Sequence, residues 1–197
     1  MSITLAYYRL PAAERESLTR DQDTWRGFER RLLKVKHEVF KSAIADMDKG
    51  GGTKAEQFAR LASLMKERSD PRQFNVEKEW QTMAYLLTGQ SEISSEHRAG
   101  EPLHNIIYGG LDTVATTGYG AVRYFDGALV AESADALAKA DRQCIRERFN
   151  PERMTQLDIY AAPAEQERES VLGFIEEFTA FFQTAAAARD DVIKFAS

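Results

Sequence analysis

The residues of this chain best suited to chemistry are Tyr119, Arg123 and Tyr124, which share a short segment with two glycines. An arginine framed by aromatic rings can hold a carboxylate or a phosphate through two parallel hydrogen bonds. Trp80 and His104 would complete a polar site if the fold brings them near. The alternative is that these residues have a structural role, because an internal ion pair can resemble a functional site. In that case Arg123 pairs with a helix carboxylate and the tyrosines pack.

Other catalytic and metal-binding patterns are absent from the sequence. The histidines, His37, His97 and His104, lack the spacing of a metal site and have no cysteine cluster beside them, so we expect neither a metal nor a cofactor. The single cysteine, Cys144, lies in a predicted helix and suits a small buried side chain better than a nucleophile. The glycines at 50–52 lack the spacing of a phosphate loop. The sequence therefore favours a non-enzymatic role.

The composition predicts one soluble, folded domain over residues 1–197, with 43% hydrophobic and 29% charged residues. The net charge of −5 argues against general nucleic-acid binding. No signal peptide and no apolar run of about 18 residues is visible, so we expect a cytoplasmic protein without membrane contact. Residues 150–197 carry four Lys/Arg and nine Asp/Glu. This acidic C-terminal region could attract a basic partner, although a solvated face is the commoner meaning.

The hydrophobic pattern predicts an α+β fold: a mostly helical domain with a small antiparallel sheet formed by N-terminal, middle and C-terminal strands. These strands are expected at residues 2–10, 119–125 and 191–196. A long helix is expected from a cap at Asp23 or Thr24 to about Met47. Further helices are expected at 12–18, from 53 to just before Pro71, and at 76–87, 102–108, 128–140, 142–149, 151–157 and 165–188.

Two of these helices carry apolar stripes. In the long helix, one buried stripe is expected at Trp25, Phe28, Leu32, Val35 and Val39. A basic row on another face could meet an acidic partner or be solvated; it comprises Arg26, Arg30 and Lys34. In the last helix, the aromatic residues at 174–182 suit the core better than the alternative, a homodimer face.

Four short motifs stand out: 75–89 (NVEKEWQTMAYLLTG), 106–110 (IIYGG), 118–124 (GYGAVRY) and 158–160 (DIY). With RFNP at 148–151, their order resembles the YfbM-like family of bacterial proteins, also called the DUF1877 family. The resemblance covers most of residues 1–10 and 72–197. Residues 21–70 look like a helical insertion that shorter members of the family lack. It implies an α+β fold but no activity, because the function of the family is not established. Members often carry a histidine four residues after the tryptophan, where this chain has Ala84.

Two hypotheses for the function follow. The first is a non-enzymatic interaction protein, such as an immunity or antitoxin-like protein that binds and neutralises a bacterial toxin through its acidic region. The second is a small-molecule-binding protein or an enzyme with a pocket around Tyr119 and Arg123.

Overall fold

The computed structural model describes residues 4–48, 51–94 and 96–196. Its strands are β1 (Leu5–Leu10), β2 (Gln73–Val76), β3 (Leu111–Thr117), β4 (Gly120–Phe125) and β5 (Asp191–Ala196). They form one antiparallel sheet in the order β2-β1-β5-β4-β3. The predicted α+β class is confirmed, and the N-terminal strand β1 pairs with the C-terminal strand β5.

Helices occupy both faces of the sheet and account for most of the described residues. They are α1 (Ala12–Arg20), α2 (Gln22–Asp48), α3 (Lys54–Arg68), α4 (Trp80–Thr88), α5 (Pro102–Ile107), α6 (Gly127–Lys139), α7 (Arg142–Arg148), α8 (Pro151–Gln156) and α9 (Arg168–Ala188). None of them, within the ranges given above, is both long and apolar enough to cross a membrane.

The sheet separates two apolar layers, because successive side chains of a strand point to opposite faces. On one face Tyr7 packs edge-on against Phe178 and Phe182 of α9, with ring centroids 5.1 and 6.0 Å apart. On the other face Tyr8 and Phe195 pack beneath α2. In the aromatic stripe of α9, Phe178, Phe181 and Phe182 are buried in the first of these layers, so their predicted place in the core is confirmed, whereas Phe174 is only partly buried.

Two of the five strands, β2 and β3, are not among the strands expected from the sequence. Residues 76–87 were expected to form one helix, but α4 begins only at Trp80 and Val76 ends β2. Gln73 and Asn75 are poor strand formers, so β2 owes its conformation to its pairing with β1. The sequence does contain a signal for β3, since this strand includes Val114 and three threonines.

The long helix also differs from expectation at its start and along its stripe. Asp21, rather than Asp23 or Thr24, caps α2: its Oδ2 accepts a hydrogen bond of 2.7 Å from the Thr24 amide. The apolar stripe is buried only at its beginning, and Val35 is 53% exposed. Beyond that point α2 packs mainly against α3 rather than on the sheet, which leaves the far end of the stripe partly in solvent.

Candidate functional site

The IIYGG motif at 106–110 ends α5, and side chains from three strands bind its carbonyl groups. Tyr7 Oη donates to the carbonyl of residue 106 at 2.8 Å. Lys194 Nζ donates to those of residues 107 and 109 at 2.8 and 2.5 Å. Arg123 Nη1 donates to that of residue 108 at 3.1 Å. The last carbonyls of a helix lack partners within it, so these bonds stabilise the end of α5.

Arg123 is the centre of the site predicted from the sequence, and its guanidinium takes part in internal contacts. Besides the carbonyl bond, its Nη2 lies 3.2 Å from Asp112 Oδ1 in β3. The alternative interpretation had placed this carboxylate on a helix. Beside Arg123, burial lowers the pKa of Lys194 well below its usual value, and the positive charge of Arg123 acts in the same direction.

Trp80 and His104 meet around Tyr108, next to Arg123. The ring centroids of Trp80 and His104 lie 6.1 and 5.1 Å from that of Tyr108. Burial lowers the pKa of His104, with a further contribution from Arg98, and burial raises the pKa of Tyr108 to about 12. Both side chains are therefore neutral near pH 7. Trp80 Nε1, His104 Nδ1 and Tyr108 Oη are buried without a hydrogen-bond partner among the described residues.

The two remaining candidates lie elsewhere. Tyr124 follows Arg123 in β4, so its side chain is on the opposite face of the sheet, where the Arg15 guanidinium lies 4.4 Å from its ring centroid. Tyr119 lies in the turn between β3 and β4 and is 44% exposed. It lines a cavity of about 260 Å³ together with Leu33 and Phe195. The fold thus gathers Trp80, His104 and Arg123 and separates the two tyrosines from them.

A larger concave surface, which the sequence does not predict, lies along the outer edge of β2. There a cavity of about 620 Å³ is bounded by α2 and α3 on one side and by α9 on the other. It contacts Gln73, Phe74 and Asn75 in succession. The side chains of consecutive strand residues point to opposite faces, so a cavity that reaches all three opens along the strand edge. Its apolar lining includes Phe28, Leu32, Val39, Met65 and Phe174.

One group of polar side chains in this cavity is joined by hydrogen bonds around Asp70. Tyr8 Oη donates to Asp70 Oδ2 at 2.8 Å, and Arg72 donates to both carboxylate oxygens at 3.0 and 3.2 Å. These bonds outweigh the effect of burial and lower the pKa of Asp70 to about 2. Burial and the carboxylate raise the pKa of Tyr8 to about 12. At neutral pH this group therefore consists of an anion, a cation and a neutral phenol.

A second cavity, of about 800 Å³, adjoins the first one along α9. The two share Glu77, Phe174 and Glu177 in their walls. The second cavity is lined by five glutamates and one lysine: Glu77, Lys78, Glu79, Glu167, Glu169 and Glu177. Of these, Glu169 forms an ion pair with Arg146 at 2.6 Å. Within the described ranges the carboxylates of Glu77 and Glu79 have no ion-pair partner. We call the two cavities together the β2 groove.

The second cavity is the acidic end of the β2 groove, whereas the first cavity has charges of both signs. Arg31 and Lys36 of α2 line the first cavity together with Glu14, whereas five of the six charged residues that line the second cavity are glutamates. Three glutamates of the acidic end, Glu167, Glu169 and Glu177, belong to residues 150–197, where the sequence shows an excess of negative charge. This excess was the only feature of the sequence that indicated the groove. The rest of the groove was hidden because β2 was not predicted as a strand.

The remaining sequence motifs form contacts between elements rather than line the groove. Arg148, from RFNP, donates to the carbonyls of Leu86 and Leu87 at 2.8 and 3.0 Å and so holds the end of α4. The amide of Tyr160, from DIY, donates to Gln81 Oε1 at 2.7 Å. These contacts bring the motifs together around α4 and α5 and stabilise this part of the fold.

The family model of DUF1877, a domain of unknown function, matches residues 1–195. The crystal structure of YfbM from Escherichia coli, a protein of unknown function, is similar with a TM-score of 0.54 at 14% identity. The alignment covers 97% of this chain and 98% of that one, and identity this low supports a shared fold alone. A search of curated proteins found no match. The chain belongs to the DUF1877 family.

Proposed function

We propose that this chain is a non-enzymatic binding protein that holds a segment of a partner protein in the β2 groove. A concrete form is an immunity or antitoxin-like protein that blocks a basic bacterial toxin. The observation that carries this proposal is the continuity of the groove, from the first cavity, which Arg31 and Lys36 line, to the acidic end, which contains Glu77 and Glu79.

The size and lining of the groove suit a polypeptide segment. Pockets for small molecules commonly have volumes of about 300–1,000 Å³. Each of the two cavities, at about 620 and 800 Å³, already lies within that range by itself. Because they share walls, the groove that they form together has room for a ligand larger than a typical small molecule. Phe74 and Phe174 are in contact, with ring centroids 4.9 Å apart and ring planes inclined by 36°, and give the groove an apolar surface. Interfaces between proteins combine such an apolar centre with a charged rim.

The ionisation of the groove favours binding over catalysis. A general acid or base works best when its pKa lies near the pH at which the enzyme operates. The pKa values of Tyr8 and Asp70 are moved to about 12 and about 2, in both cases away from neutrality. Their hydrogen bonds hold the wall of the groove in one geometry, which reduces the ordering that a partner must impose.

The charge at the acidic end selects the partner. Opposite charges across an interface accelerate association and disfavour partners of the wrong sign. A basic segment of a toxin fits beside Glu77 and Glu79, and long-range attraction would guide it there. Such a complex should weaken as the salt concentration rises.

We expect the double variant Glu77→Lys, Glu79→Lys to lose a protein partner that the wild type captures from its host. The tagged wild type and the variant are compared by affinity purification and mass spectrometry. The matched control is Glu132→Lys, Glu152→Lys, which changes the net charge equally at exposed positions that do not line the groove. If both double variants retain the same partner, the groove is not its binding site.

The immunity role requires a second measurement. The gene of the captured partner is expressed with either the wild type or the groove variant, and growth is followed. We expect the partner to arrest growth, the wild type to restore it, and the groove variant to fail. A partner that does not affect growth would contradict the immunity role and leave protein binding in place.

The cavity beside Tyr119 supports a second candidate, a binder of small apolar molecules. At about 260 Å³ and with Leu32, Leu33 and Phe195 in its walls, it suits a compact apolar ligand. We expect a ligand of this cavity to raise the melting temperature of the wild type and not that of Tyr119→Ala. A thermal-shift screen of small metabolites measures this, and an equal response of both proteins would exclude the cavity as the binding site.

A further inference from the structure

We infer that the bound partner segment is an extended strand that joins the sheet beside β2 as a sixth strand. This inference rests on the proposed function and specifies how the partner is held. It would use main-chain hydrogen bonds at Gln73 and Asn75, an apolar contact at Phe74 and Phe174, and basic side chains at the acidic end of the groove.

The register of β1 and β2 determines which groups of β2 face outward. The Arg9 amide donates to the Arg72 carbonyl at 2.8 Å, so residues 9 and 72 form a hydrogen-bonded pair. Along an antiparallel pair, bonded and non-bonded positions alternate. Tyr7 with Phe74 is therefore the next bonded pair, and the peptide groups of Gln73 and Asn75 point away from β1.

These outward groups are available for another strand. The Gln73 amide is used in a turn, where it donates to the Asp70 carbonyl at 2.9 Å. The carbonyl of Gln73 and both main-chain groups of Asn75 have no hydrogen-bond partner among the described residues. An edge strand with such groups is a template for pairing with another chain. Here the edge lies within the 620 Å³ cavity, whose walls would exclude water from the new hydrogen bonds.

The surroundings of the edge define the chemistry of the incoming strand. Side chains on one face would contact the Phe74 and Phe174 rings, so apolar residues fit there. Side chains on the other face would meet the amides of Gln73 and Asn75, which are joined by a hydrogen bond of 2.8 Å. Where the strand leaves β2 it passes the glutamates at 77 and 177, so Lys or Arg fits at that end. Strand addition generally combines main-chain bonds for affinity with alternate side chains for specificity.

The test uses the intact protein and peptides selected from a displayed library of short random sequences. The best peptides are synthesised with a fluorophore, and their affinity is measured by fluorescence anisotropy. Two variants differ at the strand edge: Asn75→Pro removes the outward amide, whereas Asn75→Ala removes the side chain and keeps that amide. Proline is tolerated in an edge strand when its missing donor would face outward. Circular dichroism and thermal melting verify that both variants fold.

We expect selected peptides to be enriched in alternating apolar residues with Lys or Arg at one end. Asn75→Pro should weaken their binding about tenfold or more, and Asn75→Ala much less, because a lost main-chain bond leaves a buried acceptor unpaired. The same loss should follow methylation of the peptide amides that face β2. Hydrogen exchange at the Asn75 amide should slow when the peptide binds, a readout that does not depend on any variant.

The outcomes separate this inference from the proposed function. If Glu77→Lys, Glu79→Lys abolishes peptide binding while Asn75→Pro and amide methylation have no effect, the groove binds a partner but strand addition is wrong. If the double variant Glu77→Lys, Glu79→Lys, the variant Asn75→Pro and methylation of the peptide amides all leave peptide binding unchanged, both proposals fail. If the wild type is a dimer that becomes monomeric in Asn75→Pro, the strand beside β2 belongs to a second copy, and a separate partner is excluded from that position.

Discussion

The substitution Gly109→Ala is expected to lower the free energy of unfolding by about 3 kcal/mol, through overpacking and the loss of hydrogen bonds. A Cβ at position 109 would lie 2.6 Å from Asn105 Oδ1 and 2.9 Å from Asn105 Cα. Because one of these atoms belongs to the backbone of α5, a change of side-chain rotamer alone cannot relieve the contact.

The expected cost is large because Asn105 holds the loop that precedes α5. Its Oδ1 accepts a hydrogen bond from the Arg98 amide, and its Nδ2 donates to the Arg98 carbonyl, both at 2.7 Å. A displaced Asn105 loses both bonds, at about 1 kcal/mol each. The carbonyl of residue 109 also accepts from the buried Lys194, so a shift of the backbone would disturb that contact too.

Thermal unfolding measures the effect, with Gly118→Ala as the matched control. An added Cβ at Gly118 meets no heavy atom within 4 Å. For a chain of this size, 3 kcal/mol corresponds to a fall in melting temperature of roughly 6–12 °C. We expect Gly118→Ala to remain within about 0.5 kcal/mol of the wild type. Equal melting temperatures of the two variants would show that the end of α5 adjusts to a side chain at residue 109.

The sequence predicts the elements whose own residues determine their conformation. The strand at 5–10 contains two adjacent tyrosines among apolar residues, and the strand at 191–196 contains Val192, Ile193 and Phe195. The last helix, α9, shows a long apolar stripe, so local patterns were sufficient for these three elements. In β2, Phe74 and Val76 alternate with polar residues, but four residues are too few for this alternation to indicate a strand, and the conformation depends on pairing with the distant β1. The exposed end of α2 likewise depends on where the sheet stops, which a helical period cannot reveal.

The candidate site was harder to predict than the fold. Tyr119, Arg123 and Tyr124 are close in sequence, but the strand period of two places Arg123 and Tyr124 on opposite faces. The β2 groove, in contrast, combines Tyr8, α2, α3, β2 and α9, which are separated by long stretches of chain. Only its acidic end had a local signal, because the glutamates of residues 165–177 occur within one short segment.

The wall of the groove depends on how α2 is attached to the sheet, and Trp25 is its main anchor. Its side chain is fully buried and packs against Phe195 and Phe28, with ring centroids 5.1 and 5.5 Å away. Trp25→Ala is expected to lower the free energy of unfolding by about 3–5 kcal/mol, because the site retains a large cavity. Its Nε1 has no hydrogen-bond partner among the described residues, so the expected loss is one of packing.

Urea unfolding of Trp25→Ala and Leu33→Ala would test this anchor. Leu33 lies on the same helix but is 57% exposed, so its truncation should change stability by no more than about 0.5 kcal/mol. Loosening of α2 would also move Leu32 and Lys36, which line the first cavity, and so should weaken partner binding before the sheet unfolds. Equal midpoints for the two variants would contradict Trp25 as the anchor. Lower stability with unchanged partner binding would instead show that the groove retains its shape without this contact.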